Sequence, residues 1–274
     1  MTFVIVLAII AVIALILTIV LKHKPIASST IVLICGLIVL IWKSIEFTYY
    51  FINDTGSVPI EFSHLSYFIL GVTMVFSIKP LYMFSGFMSL ISGIGFLVGG
   101  FVSPENMSSA TRGFPVALSV ASHTLLLIAG LLLLFNVRRY KKSDFAFTAL
   151  GLIACIVFAF LASKGIIYPN DQGSVNNAII VKIANGDILE YVMAADKIEN
   201  WMRILVPIAI FILAVLVMWL VYAINHRLYK TRAKKLGVDV SELPLTPVGL
   251  FPLIKRARHP RPNIQYSLTK KLEC

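Results

Sequence analysis

Charged side chains are scarce in this sequence, and acidic ones scarcest. Only 14% of its 274 residues are Asp, Glu, Lys or Arg, with 24 Lys+Arg against 13 Asp+Glu. A soluble domain is about one quarter charged, so a water-facing surface of ordinary extent is excluded. Cysteine is nearly missing as well. Cys35, Cys155 and Cys274 show no Cys-x-x-Cys spacing, which argues against a disulfide framework or a cysteine-built metal site. The ending Lys271-Leu-Glu-Cys274 is no prenylation box, whose cysteine stands four from the end. No basic segment precedes the first apolar run and no small-residue cleavage site follows it, so that run reads as an uncleaved span and not as a signal peptide.

What abounds is apolar surface. Hydrophobic residues make up 58% of the chain and mean hydropathy is +0.89, more than one water-soluble core can hide, which makes a bilayer the expected solvent. A spanning helix takes about 20 mostly apolar residues. Stretches 2–22, 28–52, 60–78, 81–102, 114–136, 145–165 and 201–224 qualify, separated by Lys24-Pro25, Asn53-Asp-Thr-Gly56, Lys79-Pro80, Ser103-Pro104 and Ser143-Asp144. The expected fold class is all-α: a polytopic membrane bundle of about seven helices.

Charge orients it. With the N-terminus outside, 18 Lys+Arg fall on the inner side and 5 on the outer, and Lys43 stays within a span. The positive-inside bias therefore predicts N-out and C-in, in the plasma membrane. The segment 225–274 carries 11 Lys+Arg and 3 Asp+Glu. With Leu243-Pro-Leu-Thr-Pro247 and Lys255-Arg-Ala-Arg-His-Pro-Arg261, it reads as a basic cytoplasmic tail suited to anionic lipid head groups. Nucleic acid is not the expected partner. The exterior link 166–200 centres Asn185-Gly186 between β-prone runs, the pattern of a hairpin, with an interfacial helix from Asp187 to Asn200 as the competing form. Protein partners would meet 166–200 or 225–274. The sequons Asn53-Asp-Thr55 and Asn106-Met-Ser108 fall in exterior loops of this topology. In the fourth span Gly95-x-x-x-Gly99 permits close helix contact within the bundle.

Ionisable groups inside spans cost free energy and mark sites. They are Lys43 and Glu46 in the second span, Glu61 and His64 in the third, His123 in the fifth and Arg203 at the start of the seventh. The topology puts them all in the outer half, which predicts an outward-facing polar cavity. Lys43 and Glu46 sit i,i+3 and can neutralise one another. Glu61-x-x-His64 has the spacing of a di-metal bundle motif, but such sites need two motifs, so neither metal nor cofactor is expected. Ser63 and Ser66 flank His64. His123, at similar depth, could serve one of them as a base, or the serines could bond only to their own backbone.

The run Pro59-Ile-Glu-Phe-Ser-His-Leu-Ser-Tyr67, then Lys79-Pro80, Val102-Ser-Pro104 and His123-Thr-Leu-Leu-Leu, resembles the YwaF-like family of integral membrane proteins over residues 59–135. That family is distantly similar to membrane-embedded acyltransferases and the androgen-induced threonine hydrolases. The resemblance implies a lipid acyl transferase or hydrolase in which Ser66 stands at the family's cysteine position and His123 matches its later histidine. A transporter or solute-binding protein using the same cavity is the alternative, and a non-catalytic subunit of a larger membrane complex is a third.

Overall fold

A computed structural model of the chain describes residues 2–53, 58–102, 104, 114–170, 172–191 and 197–236. Among them every regular element is helical: α1 Thr2–Val20, α2 Pro25–Ile52, α3 Phe62–Phe76, α4 Tyr82–Val102, α5 Phe114–Leu132, α6 Lys142–Ser163, α7 Gln172–Asn177, α8 Ile179–Asn185 and α9 Asn200–Leu236. Short 3-10 turns cover Lys79–Leu81 and Asp187–Tyr191, and a π turn, Leu133–Val137, continues α5. The breakers act as their chemistry requires. Pro25 opens α2, where its missing N–H costs nothing, and Pro80 sits in the 3-10 turn before α4. Asp144 accepts from the Lys141 N–H at 2.8 Å and places a carboxylate in the first turn of α6, against the positive end of the helix dipole.

Six helices (α1, α2, α4, α5, α6 and α9) are long and apolar enough to cross a membrane. The third expected span forms a shorter apolar helix of 15 residues, about 22 Å at 1.5 Å per residue. α4 is the axis of the bundle. Two thirds of its apolar window is buried, against 11% for α1 and for α9. It packs on α5, α3, α6 and α1, and α2 packs on α3 and α5. The close approach of α4 and α5 runs through Gly93 and Gly130. A Cβ on Gly93 would stand 2.7 Å from Leu127 Cβ, and one on Gly130 would stand 2.6 Å from the Leu90 nitrogen. The expected contact through Gly95 is not made, for Gly95 has open space beside it.

Two further expectations are corrected. The seventh helix does not end at residue 224 but runs to Leu236, which takes Arg227, Lys230, Arg232, Lys234 and Lys235 out of the tail and onto a helix. Between residues 172 and 191 there are helices and no hairpin. Ile180 and Val181 are buried, and α8 packs on α6 and α9, so burial on one helical face prevails over local β propensity. Gly186, at φ 76°, is the left-handed cap of α8, a role that Asn-Gly fills as readily as a hairpin turn. Of the interfacial-helix alternative from Asp187 to Asn200, the described residues include a 3-10 turn, Asp187–Tyr191, and residues 192–196 lie outside them. The proposed lipid-binding stretch 237–274, the sequon at Asn106 and all but Asn53 of the first sequon lie outside the described residues.

Candidate functional site

Tyr67, which the sequence pattern did not single out, stands at the centre of the in-span groups. It is 2% exposed. The Lys43 ammonium lies over its ring, 5.0 Å from the centroid. On one side the His64 ring is 6.5 Å away, and on the other the His123 ring meets it edge-on at 5.8 Å. Lys43 donates to Glu46 Oε2 at 2.6 Å, and Tyr50 donates to the other Glu46 oxygen at 3.2 Å. Helical geometry makes this possible: Lys43, Glu46 and Tyr50 follow one another at i+3 and i+4 on one face of α2, and His64 and Tyr67 do the same on α3. Aromatic rings wall the group in, with Phe47 edge-on to His64 at 4.8 Å and Phe96 stacked on His123 at 4.2 Å and 6°.

The structure thus brings Lys43, Glu46, His64 and His123 together from α2, α3 and α5. The Lys43 charge acts on both imidazoles. It does not open them to the exterior as a cavity. The space beside His123 is a narrow apolar crevice with no room for a water molecule, lined by Leu7, Ile10, Phe96 and Leu127 among others.

Three expected members sit elsewhere. The Glu61 carboxylate accepts from the Ile179 N–H at 3.3 Å, which joins the start of α3 to α8. Arg203 forms ion pairs with Asp187 and, at 3.7 Å, with Glu190, bracing α9 against the 3-10 turn. Ser63 is half-buried at the start of α3. Ser66 is fully buried, and its hydroxyl is directed at backbone carbonyls: Phe62 in its own helix at 2.8 Å and Met88 in α4 at 3.2 Å. It is not hydrogen-bonded to His123, so the geometry lacks the nucleophile–base contact that acyl transfer requires.

Unmet hydrogen-bonding capacity runs through the bundle interior, from this cluster to the opposite end. The Nδ1 atoms of His64 and His123, Trp42 Nε1, the hydroxyls of Thr73, Ser77, Ser85, Ser89 and Ser92, and, at the basic end, the Nε atoms of Arg138 and Arg232 are buried without a hydrogen-bond partner among the described residues. Natural interiors pair most buried polar atoms, and exceptions call for an explanation such as bound water, an ion or function. The sequence pattern did not single out these α4 serines. Their signal was spacing: Ser85, Ser89 and Ser92 fall at i, i+4 and i+7, one stripe of a helix. Among the described residues, no three His, Cys, Asp or Glu side chains gather into a metal-binding group.

At the other end of the bundle lies a second polar cluster. Asn225 of α9 is fully buried. Its amide donates to the carbonyls of Leu134 and Arg138 at 2.6 and 2.9 Å, and its oxygen accepts from the Tyr140 N–H at 3.1 Å. Tyr140 donates to Leu133 O, Arg232 to the carbonyls of Phe135, Asn136 and Lys22, and Tyr229 to Asn136 O. A helix end leaves its last carbonyls bare; here side chains from α9 and from Tyr140 cover those of the π turn. Arg138 pairs with Asp144 at 3.9 Å and lies over the rings of Tyr82 and Tyr140. Compared with known proteins, the chain matches no family model, no curated protein and no solved structure.

Proposed function

We propose that this chain is a seven-helix integral protein of the plasma membrane, N-terminus outside and C-terminus in the cytoplasm, that binds a small polar solute in the cluster around Tyr67. The observation that carries the reading is the convergence of Lys43, Glu46, His64 and His123 on one buried ring, with both imidazole Nδ1 atoms unpartnered. Intramembrane ionisable groups are costly and are retained where a substrate or ion passes. The Lys43–Glu46 pair suits a zwitterion. Its acidic group would take the ammonium and its basic group the carboxylate, so that two ion pairs replace one with no change in net charge.

The orientation rests on the excess of Lys+Arg on alternate links, and the short α3 counts as a span because its ends are extended by Ile60 and by the 3-10 turn. Entry would come from the outer face, where Glu61 holds α8 against the start of α3. Acyl transfer by Ser66, which the YwaF-like resemblance implies, is disfavoured because its hydroxyl is already spent on carbonyls.

The test is a thermal-shift panel on purified protein in detergent, with millimolar small carboxylates, amines and amino acids as probes. A zwitterion is expected to raise Tm in the wild type and to lose that effect in Lys43→Met and His123→Ala. A flat panel, or a shift that both variants keep, overturns the reading.

A further inference from the structure

We propose that the buried face of α4 carrying Ser92, Ser89, Ser85 and Tyr82 is a proton path joining His123 in the outer cluster to the Arg138–Asp144 pair at the opposite end. This inference rests on the reading of the outer cluster and adds a coupled ion to it.

Four observations carry it. First, the hydroxyls of Ser85, Ser89 and Ser92 are buried, the first two completely, and none has a hydrogen-bond partner among the described residues. A serine in a helix ordinarily bonds back to a carbonyl four residues earlier, as Ser66 and Ser122 do; these three do not. Second, the spacing is regular. Residues three or four apart on a helix stand about 5–6 Å from one another, a gap that one water molecule spans with two hydrogen bonds. Ser92 to Tyr82 is ten residues, ~15 Å along the axis, half the thickness of a bilayer core.

Third, each end meets a titratable group. The His123 ring stacks on Phe96, one turn beyond Ser92 on the same stripe, and the Ser92 backbone faces its imidazole. At the other end Tyr82 lies under the Arg138 guanidinium, 5.1 Å from centroid to Cζ, and Arg138 pairs with the buried Asp144. Fourth, His123 Nδ1 is itself buried and unpartnered, so the path starts on a group that can take a proton and hand one on.

The transfer balances by exchange. The imidazole accepts a proton from the outer side at one nitrogen and releases another from its second nitrogen into the file. Each bridging water and hydroxyl accepts one proton and donates its own. The guanidinium of Arg138 keeps its protons, so the last transfer bypasses it: a water beside Tyr82 would pass the proton to the Asp144 carboxylate, which would hold it on the way out. Net, one proton disappears outside and one appears inside, and the charge is compensated by a counter-ion flow. The charged and titratable groups facing His123 are Lys43 from α2, itself paired with Glu46, and His64 and Tyr67 from α3. Those facing Asp144 are Arg138 and Tyr140.

The test uses the full chain in proteoliposomes with a trapped pH dye, and a potassium gradient with valinomycin to supply the counter-ion. Wild-type vesicles should acidify faster than empty ones. Ser89→Ala and Ser85→Ala should each slow acidification on the order of tenfold, the effect of one lost hydrogen-bonded step on a barrier. Ser89→Thr, which keeps a hydroxyl, should restore much of the rate, and Asp144→Asn should slow it. Thr30→Ala, on the exposed side of α2, should change nothing. Because Ser→Ala removes no hydrogen bond made within the chain, these variants should fold, and their Tm checks that they do. Wild-type vesicles no faster than empty ones, or Ser89→Ala and Ser85→Ala as fast as wild type, overturn the path. If the path fails while the solute shift survives, the outer site stands alone; if Ser→Ala slows protons but no solute binds, the solute reading fails and the path stands.

Discussion

The two ends of the bundle solve the same problem in opposite ways. At the end that holds the basic residues, side chains of Asn225, Tyr229 and Arg232 reach the carbonyls of the π turn and of Lys22, and Tyr140 covers Leu133. There only single Nε atoms of Arg138 and Arg232 and the Ser77 hydroxyl go unpartnered among the described residues, whereas His64, His123 and Trp42 at the other end, and the file of α4 hydroxyls leading away from them, are buried with capacity unused. Without water, a buried polar group costs free energy unless it is paired. The first arrangement therefore holds the fold together, and the second is carried by the fold for another purpose. The guanidinium of Arg232 illustrates the first. Among the described residues it has no carboxylate partner, yet it sits where the negative ends of two helices converge, which favours a cation.

This contrast is most easily broken at Asn225. Replacing it with alanine leaves the Tyr140 N–H and the carbonyls of Leu134 and Arg138 without their partner. The expected loss is about 2–4 kcal/mol, the scale of stranding several buried groups. It should appear as a lower Tm in detergent and as easier proteolysis of the C-terminal half of α9, whose attachment to the bundle is concentrated there. A change indistinguishable from zero would mean that the basic end is not what secures α9.

The all-helical class and the long apolar helices were readable from residue order because hydrophobic runs and prolines carry them directly. Lys43 and Glu46 were readable as a pair, since i,i+3 spacing settles contact within a helix. Tyr67 was not. Its role depends on how α2, α3 and α5 rotate about their axes, and the packing at Gly93 and Gly130 that sets α4 against α5 is a tertiary fact. Asn185-Gly186 misled for a related reason: the dipeptide favours a left-handed residue in a hairpin or at a helix end, and only the burial of Ile180 and Val181 decides between them. Asn136 and Asn225 did carry a signal. Each is an amide in an apolar run, and in a bilayer such a group needs a partner.

Ser85→Ala and Ser89→Ala sharpen the comparison from the other side. A hydroxyl with no partner contributes nothing to offset its desolvation, so removing it should leave stability unchanged or raise it by up to about 1 kcal/mol. The measurement is Tm in the same detergent. A clear loss of stability in either variant would place these serines among the groups that hold the bundle, and the distinction between its ends would fail.

The smallest expected effect is at His23, in the turn between α1 and α2. Its pKa is lowered by partial burial first, then by the positive charges of Arg232, Lys22 and Lys235. The folded chain therefore resists protonation there more than the unfolded chain does. As pH falls through about 6.5, the ordinary histidine value, the unfolded state takes up a proton first and the fold loses stability, until the lowered folded value is passed and the loss is complete. Tm measured from pH 7.5 down to 5 should fall slightly more in the wild type than in His23→Gln. Parallel curves would mean that Arg232 does not communicate electrostatically with this turn, even though its guanidinium donates to the neighbouring Lys22 carbonyl. The latch would then act through hydrogen bonds alone.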